Sequence, residues 1–170
     1  MRVAYISNQF PSSVEPYVMD EIQELRRNRM EVIPCSARCC DHCEGTLKGF
    51  EDETLYLQPL RLGLLLRAIG RCFRHFGLLS GFFRRVLVQG REPMTRRIRA
   101  LVHTLLGAYY ALLLEKHRVD HIHVHHGYFS SWIAMVAARL LGISFSVTLH
   151  GSDLLVHRSY LDVKLKHCKF

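Results

Sequence analysis

The stretch that most limits what this chain can fold into is Val119 to Leu154, VDHIHVHHGYFSSWIAMVAARLLGISFSVTLHGSDL. From Asp120 to His125 polar and apolar residues alternate, with Ile122 and Val124 opposite His121, His123 and His125. A period of two marks a strand. His126-Gly127 ends it. In the helix that follows, Ile133, Val136, Ala137, Leu140 and Leu141 recur at helical spacing, Ser130 or Ser131 is placed to cap it, and Gly142 to close it. Ser144 to Leu149 is a second strand, largely apolar and β-branched, followed by His150-Gly151-Ser152-Asp153. Strand, helix and strand in this order make a right-handed crossover between parallel strands. Ligands of open α/β sheets bind outside the carboxyl ends of the strands. The loops His125-His126-Gly127 and His150 to Asp153 are therefore predicted to lie at the ligand edge.

The rest of the chain repeats the pattern. Arg2 to Ser7 reads as a buried first strand and Ser7 to Pro11 as the loop at its end. Glu15 starts a helix to about Asn28, with Val18, Ile22 and Leu25 inward. Its acids Asp20, Glu21 and Glu24 come early and its arginines late, which suits the helix dipole. Met30 to Cys35 reads as a second strand, and Glu51 to Leu57 as a short edge strand or loop. Pro93 opens a long helix ending near His117, with Ile98, Leu101, Val102, Leu105, Leu106, Tyr109, Leu112 and Leu113 as its core face. A short helix after Asp153 runs to about Lys166, and His167 to Phe170 reads as the start of another strand. The class is α/β: a Rossmann-like, mostly parallel sheet with helices on both faces, one domain over residues 1–170.

Charge is unevenly placed. The net charge is +8, and between Arg61 and Arg99 ten arginines face one acid, Glu92, so that this segment alone carries +9. Leu62, Leu65, Leu66 and Ile69 share a helical face there, with Arg67, Arg71 and Arg74 mostly away from it. The segment is expected to lie on anionic lipid head groups. Nucleic acid is the weaker partner, for there is no recognition motif or aromatic stacking array. No apolar run reaches the roughly 18 residues of a membrane span. Met1-Arg2 leads straight into a strand pattern, and six cysteines without a leader suggest free thiols; both fit a cytoplasmic protein, peripheral on the inner face of the cell membrane. Cys35, Cys39, Cys40 and Cys43, with His42, invite a zinc reading. Adjacent Cys39-Cys40 and the lack of two separated C-x2-C knuckles favour a thiol-rich loop instead.

Two segments also carry a resemblance. D-H-I-H-x-H-x-G, an alanine-rich helix, L-G-I-x-F-S and T-x-H-G-S-D-L resemble the acceptor-side, N-terminal domain of GT-B fold glycosyltransferases of family 4. The opening N-Q-F-P-x-x-x-E-x-Y-V-x-x-E-I-x-x-L-R resembles the first unit of members that build exopolysaccharides and lipid-linked glycans. Together they cover roughly 70 residues, in the family's order. The resemblance implies transfer of a sugar from a nucleotide-sugar to a glycan or lipid-linked acceptor, with retention of configuration, no metal and no other cofactor. It places His150 in the cleft beside the transferred sugar, as the candidate catalytic or positioning group. It implies substrate binding by Asn8, Glu15, His125, Gly127, Gly151 and Asp153. The donor-holding second domain would bring a basic pair and a Glu-x7-Glu motif; that spacing is not found in these 170 residues, so the donor half is expected to be absent and the chain alone inactive. The loop Ser7 to Pro11 lacks the paired glycines of many relatives, so no phosphate cradle is assigned to it.

Two other classes stay in view. One is a non-catalytic basic module that binds a membrane or polyanion. The other is a metal-dependent hydrolase, because H-x-H-x-H-H is similar to the H-x-H-x-D-H loop of metallo-β-lactamase-like enzymes. His125 stands where that loop needs its aspartate. For His121 and His123 the simpler reading is strand residues with satisfied ring nitrogens. Asp153 serves equally as a helix cap.

Overall fold

The computed structural model describes residues 1–12, 14–38, 46–90, 92–155 and 158–169. Strands β1 (Arg2–Gln9), β2 (Glu31–Arg38), β3 (Leu55–Tyr56), β4 (His121–His125) and β5 (Ser144–Thr148) form one sheet in the order β3-β2-β1-β4-β5. Every neighbouring pair is parallel. This is a Rossmann-like α/β sheet whose strand order reverses between β1 and β4, the topological switch point. Both early strands run longer than their sequence pattern suggests. Pro34 does not end β2, because β3 pairs only with Cys35 and Ser36 and leaves β2 an edge strand at Pro34, where a missing donor is tolerated.

Alternation along β1 sends Ala4 and Ile6 to one face and Tyr5 to the other. Helix α1 (Pro16–Arg27) covers the Tyr5 face with Val18 and Ile22, and α2 (Thr46–Glu53) follows β2. The opposite face is covered by α5 (Met94–Glu115) and α6 (Phe129–Leu141). These two helices cross very closely: a Cβ on Gly107 would stand 2.6 Å from the Val136 Cβ. Close crossing selects small residues, so α5 buries Ala100, Thr104, Gly107, Ala108 and Ala111 along with Tyr109 and Leu112. Ile98 and Val102, expected in the core face, are exposed for the same reason. By length and composition α5 could cross a membrane, but half of that stretch is buried in this fold.

Ser130 and Ser131 fall inside the first turn of α6 rather than at its cap. Tyr128 precedes the helix, and Ser131 Oγ donates to the Tyr128 carbonyl at 2.6 Å. Gly142 closes α6 in the left-handed region, φ +70°. The arginine-rich segment forms α3 (Leu62–Arg74), α4 (Phe76–Leu87) and the start of α5, which carries Arg96, Arg97 and Arg99. The expected shared face of α3 is split. Ala68, Leu64, Leu65 and Cys72 turn inward, whereas Leu62, Leu66, Ile69 and Phe73 remain exposed. After β5 the chain makes two short helices, α7 (Gly151–Leu155) and α8 (Leu161–His167), not one. Lys169 N–H then donates to Phe145 O of β5 at 2.9 Å, as a chain entering the sheet does. Cys35 and Cys72 are free thiols. The zinc reading of Cys39, Cys40, His42 and Cys43 lies outside the described residues.

Candidate functional site

Parallel strands deliver all their carboxyl ends to one edge, and the loops after β1 and β4 flank the switch point. There the two loops are tied together: Glu15 Oε1, just ahead of α1, accepts from His126 Nε2 at 2.6 Å. His126 holds a left-handed backbone, φ 84°, that a non-glycine residue adopts only under constraint. Its N–H donates to Thr148 O at 3.0 Å and so fixes the turn to β5. Its buried Nδ1 has no hydrogen-bond partner and faces Asp153 Oδ2 at 3.9 Å.

His125 is almost wholly buried beside it and takes part in a directed hydrogen-bond chain. A carboxylate can only accept, so the Tyr5 hydroxyl donates to Glu21 of α1. The Tyr5 oxygen is then left to accept from His125 Nδ1–H, 3.1 Å away. His125 Nε2 in turn accepts from His150 Nε2–H at 2.8 Å. This network assigns the tautomers and leaves His150 Nδ1 as a lone-pair acceptor. Burial lowers the pKa of His125 against the opposing pull of Glu21, so the ring stays neutral and the direction of the chain is kept. Burial, reinforced by the bond to Glu21, raises the pKa of the Tyr5 phenol, which stays a donor. The half-exposed Tyr17 ring lies 5.1 Å from His125 and 6.0 Å from His150, centroid to centroid.

Asp153 is the third residue of α7, and its Oδ2 accepts from the His150 backbone N–H at 2.9 Å, the carboxylate half of a capping box. Capping is therefore realised, and it also fixes His150. Gly127 is tightly enclosed: a Cβ there would meet Leu149 Cδ2 at 2.6 Å and Asp153 Cβ at 3.1 Å, so that both side chains would have to shift. Lys164 of α8 pins the same turn, donating to the Gly127 and Tyr128 carbonyls at 2.7 and 3.0 Å. Gly151 has open space around it, so packing does not demand a glycine there.

The structure thus brings Glu15, His125, Gly127, His150 and Asp153 into one cluster with Gly151 at its margin. Asn8 is at the same edge but, by strand alternation, on the Ala4 and Ile6 face, away from Tyr5 and His125. His126, expected at this edge but given no binding role, belongs to the cluster, as do Tyr5, Tyr17 and Glu21, which were not read as site residues from sequence. The signal was present in part, since Tyr17 and Glu21 are four apart on one helix and share a face. His121 and His123 are strand residues with satisfied rings. His121 meets Ser144 at 2.7 Å and Ser146 at 2.8 Å; His123 meets Ser146 at 2.8 Å and Thr148 at 3.2 Å.

Ring nitrogens of His125, His126 and His150 lie within 4.8 Å of one another, close enough to consider a metal ion. Two nitrogens on one tetrahedral zinc stand about 3.3 Å apart, given Zn–N bonds near 2.0 Å. The 2.8 Å between His125 and His150 is shorter and suits a shared proton. A second group, Glu21 with His123 and His125, has its His123 nitrogens already engaged by Ser146 and Thr148. No protein-family model, curated protein or solved structure matches this chain.

Proposed function

We propose that this chain is the acceptor-binding half of a retaining, metal-independent GT-B glycosyltransferase, which moves sugar from a nucleotide-sugar to a glycan or lipid-linked acceptor. The observation that supports it is the bonded pair His125–His150 beside Glu15–His126 at the switch point of a parallel sheet, where α/β folds bind ligands. His150 Nδ1 accepts a sugar hydroxyl, and the Tyr17 ring offers a flat apolar surface to the sugar. Tyr5 and Glu21 are positioning residues: they keep His125 in the tautomer that accepts from His150. A second domain would hold most of the donor, and transfer requires both halves around the reacting centre.

Exposed Leu62, Leu66, Ile69 and Phe73, flanked by arginines, add contact with an anionic bilayer, which would bring a lipid-linked acceptor to the edge. The same surface supports the second reading, a binding module without chemistry. Saccharide binding separates them. In calorimetric titration with a panel of hexoses and disaccharides, the chain is expected to bind at least one. His150→Ala should weaken that binding about tenfold, the loss of one good hydrogen bond. His121→Ala, whose ring bonds Ser144 and Ser146 of the neighbouring strand, should leave it unchanged. Equal binding by chain and His150→Ala variant would remove the sugar role.

A further inference from the structure

On the other side of the 126–128 turn, between β2 and the amino-terminal parts of α5 and α6, a cavity of about 670 Å³ opens at the same sheet edge. Its size is that of a small-molecule site. Five basic side chains line it: Arg38, Arg96, Arg99, His103 and Lys164; among the described lining residues there is no carboxylate. No salt bridge among the described residues engages Arg38, Arg96 or Arg99. Two arginines of the basic segment are paired instead, Arg71 with Glu115 and Arg85 with Glu92 and Asp162. Lys164 is buried, and its ammonium already serves two carbonyls at the rim. The rest of the lining mixes polar Gln58 and Ser159 with an apolar side made chiefly by Leu106, Phe129 and Trp132.

We infer that this cavity binds a diphosphate ester, its phosphates against Arg96, Arg99 and Lys164 and its organic part against Phe129 and Trp132. Unpaired guanidinium groups are suited to phosphate oxygens by their forked geometry. The aromatic side beside them favours an esterified phosphate over a free ion. Burial first, and then repulsion by the charges of Lys164 and Arg99, push His103 down to about 4. An anion relieves that repulsion. Two sources supply such an ester, a nucleotide and an isoprenoid lipid carrier, and they differ only in what meets Phe129 and Trp132.

Trp132 is the only tryptophan in the chain and lines the cavity, so its fluorescence reads occupancy. The chain is titrated with geranyl diphosphate, uridine diphosphate, inorganic diphosphate and geraniol. Saturable quenching is expected with at least one of the two esters, more weakly with inorganic diphosphate or geraniol. The tighter of geranyl diphosphate and uridine diphosphate identifies the source. Arg96→Gln with Arg99→Gln, both exposed on α5, should weaken ester binding about tenfold or more. Arg67→Gln with Arg74→Gln, away from the cavity, should not. His150→Ala should not either, so failure here is separable from failure of the saccharide reading. The inference is overturned if neither ester saturates below about 1 mM. It is equally overturned if Arg96→Gln with Arg99→Gln binds as the native chain does, or if the Arg67 and Arg74 variant loses as much.

Discussion

Taking the chain from about pH 7.5 to about pH 4.5 should lower its urea midpoint steeply, well before most carboxylates are protonated. Two partly buried histidines contribute most to this. Burial, with the charges of Lys164 and Arg99, pushes His103 down to about 4. Burial, with His125 and His121 beside it and Glu21 opposing, pushes His123 down to about 4. In the unfolded chain each ring takes up its proton near the usual 6.5. Below 6.5 the unfolded state therefore binds more protons than the folded one, and stability falls as pH falls. The stability is fully present above about 6.5 and is lost progressively toward 4, up to roughly 3 kcal/mol for each ring. Against a usual total of about 5–15 kcal/mol this is a large loss. Replacing His123 by Gln should flatten the profile by about half. A midpoint that stays level across the range would show that these rings titrate as exposed histidines.

Vesicle flotation should show the second large effect. Leu62 and Phe73 are 72% and 76% exposed, and with Leu66 and Ile69 they make one stripe along α3. Arg67, Arg74 and Arg84 are exposed and, among the described residues, unpaired. Each arginine at an anionic surface contributes about 1 kcal/mol, so changing all three to Gln should weaken binding to anionic vesicles about a hundredfold at low salt. Arg71 and Arg85 are left intact, because their ion pairs with Glu115 and with Glu92 and Asp162 hold helices together. High salt should remove the arginine share, whose reach is a Debye length of about 8 Å. Leu66→Ser with Phe73→Ser should remove the salt-resistant share. Equal flotation of native chain and triple arginine variant would make the arginines a solvated surface and end the membrane role.

The β4–α6–β5 unit was legible because its periodicities are local: two in His121 to His125, 3.6 in Ile133 to Leu141. The sheet edge followed from parallel connectivity alone. What was not legible depended on partners distant in sequence. Glu15 and His126 are joined across 111 residues. Glu21 reads from sequence as a dipole-friendly acid, yet it accepts from the Tyr5 hydroxyl. Helix α3 has two apolar stripes, and composition does not say which one faces α5. The cavity is assembled from β2, α5, α6 and α8, and no single segment announces it. Ile98 and Val102 were misplaced because the expected core face presumed large residues inward, whereas Gly107 brings α6 too near for them.

The most direct test is histidine side-chain nitrogen NMR on the labelled chain, read before and during titration with the same saccharides and then with zinc. Before any ligand, His125 should carry its proton on Nδ1 and His150 on Nε2, as the chain from Glu21 dictates. Saccharide should then shift His150 Nδ1 and its partner His125 saturably, and leave His121 unmoved. Tyr5→Phe should scramble the tautomers without unfolding the chain. The contradicting result is no response to any saccharide, with His125, His126 and His150 instead saturating together at one equivalent of zinc. That outcome would make the cluster a metal centre and not a sugar-binding edge.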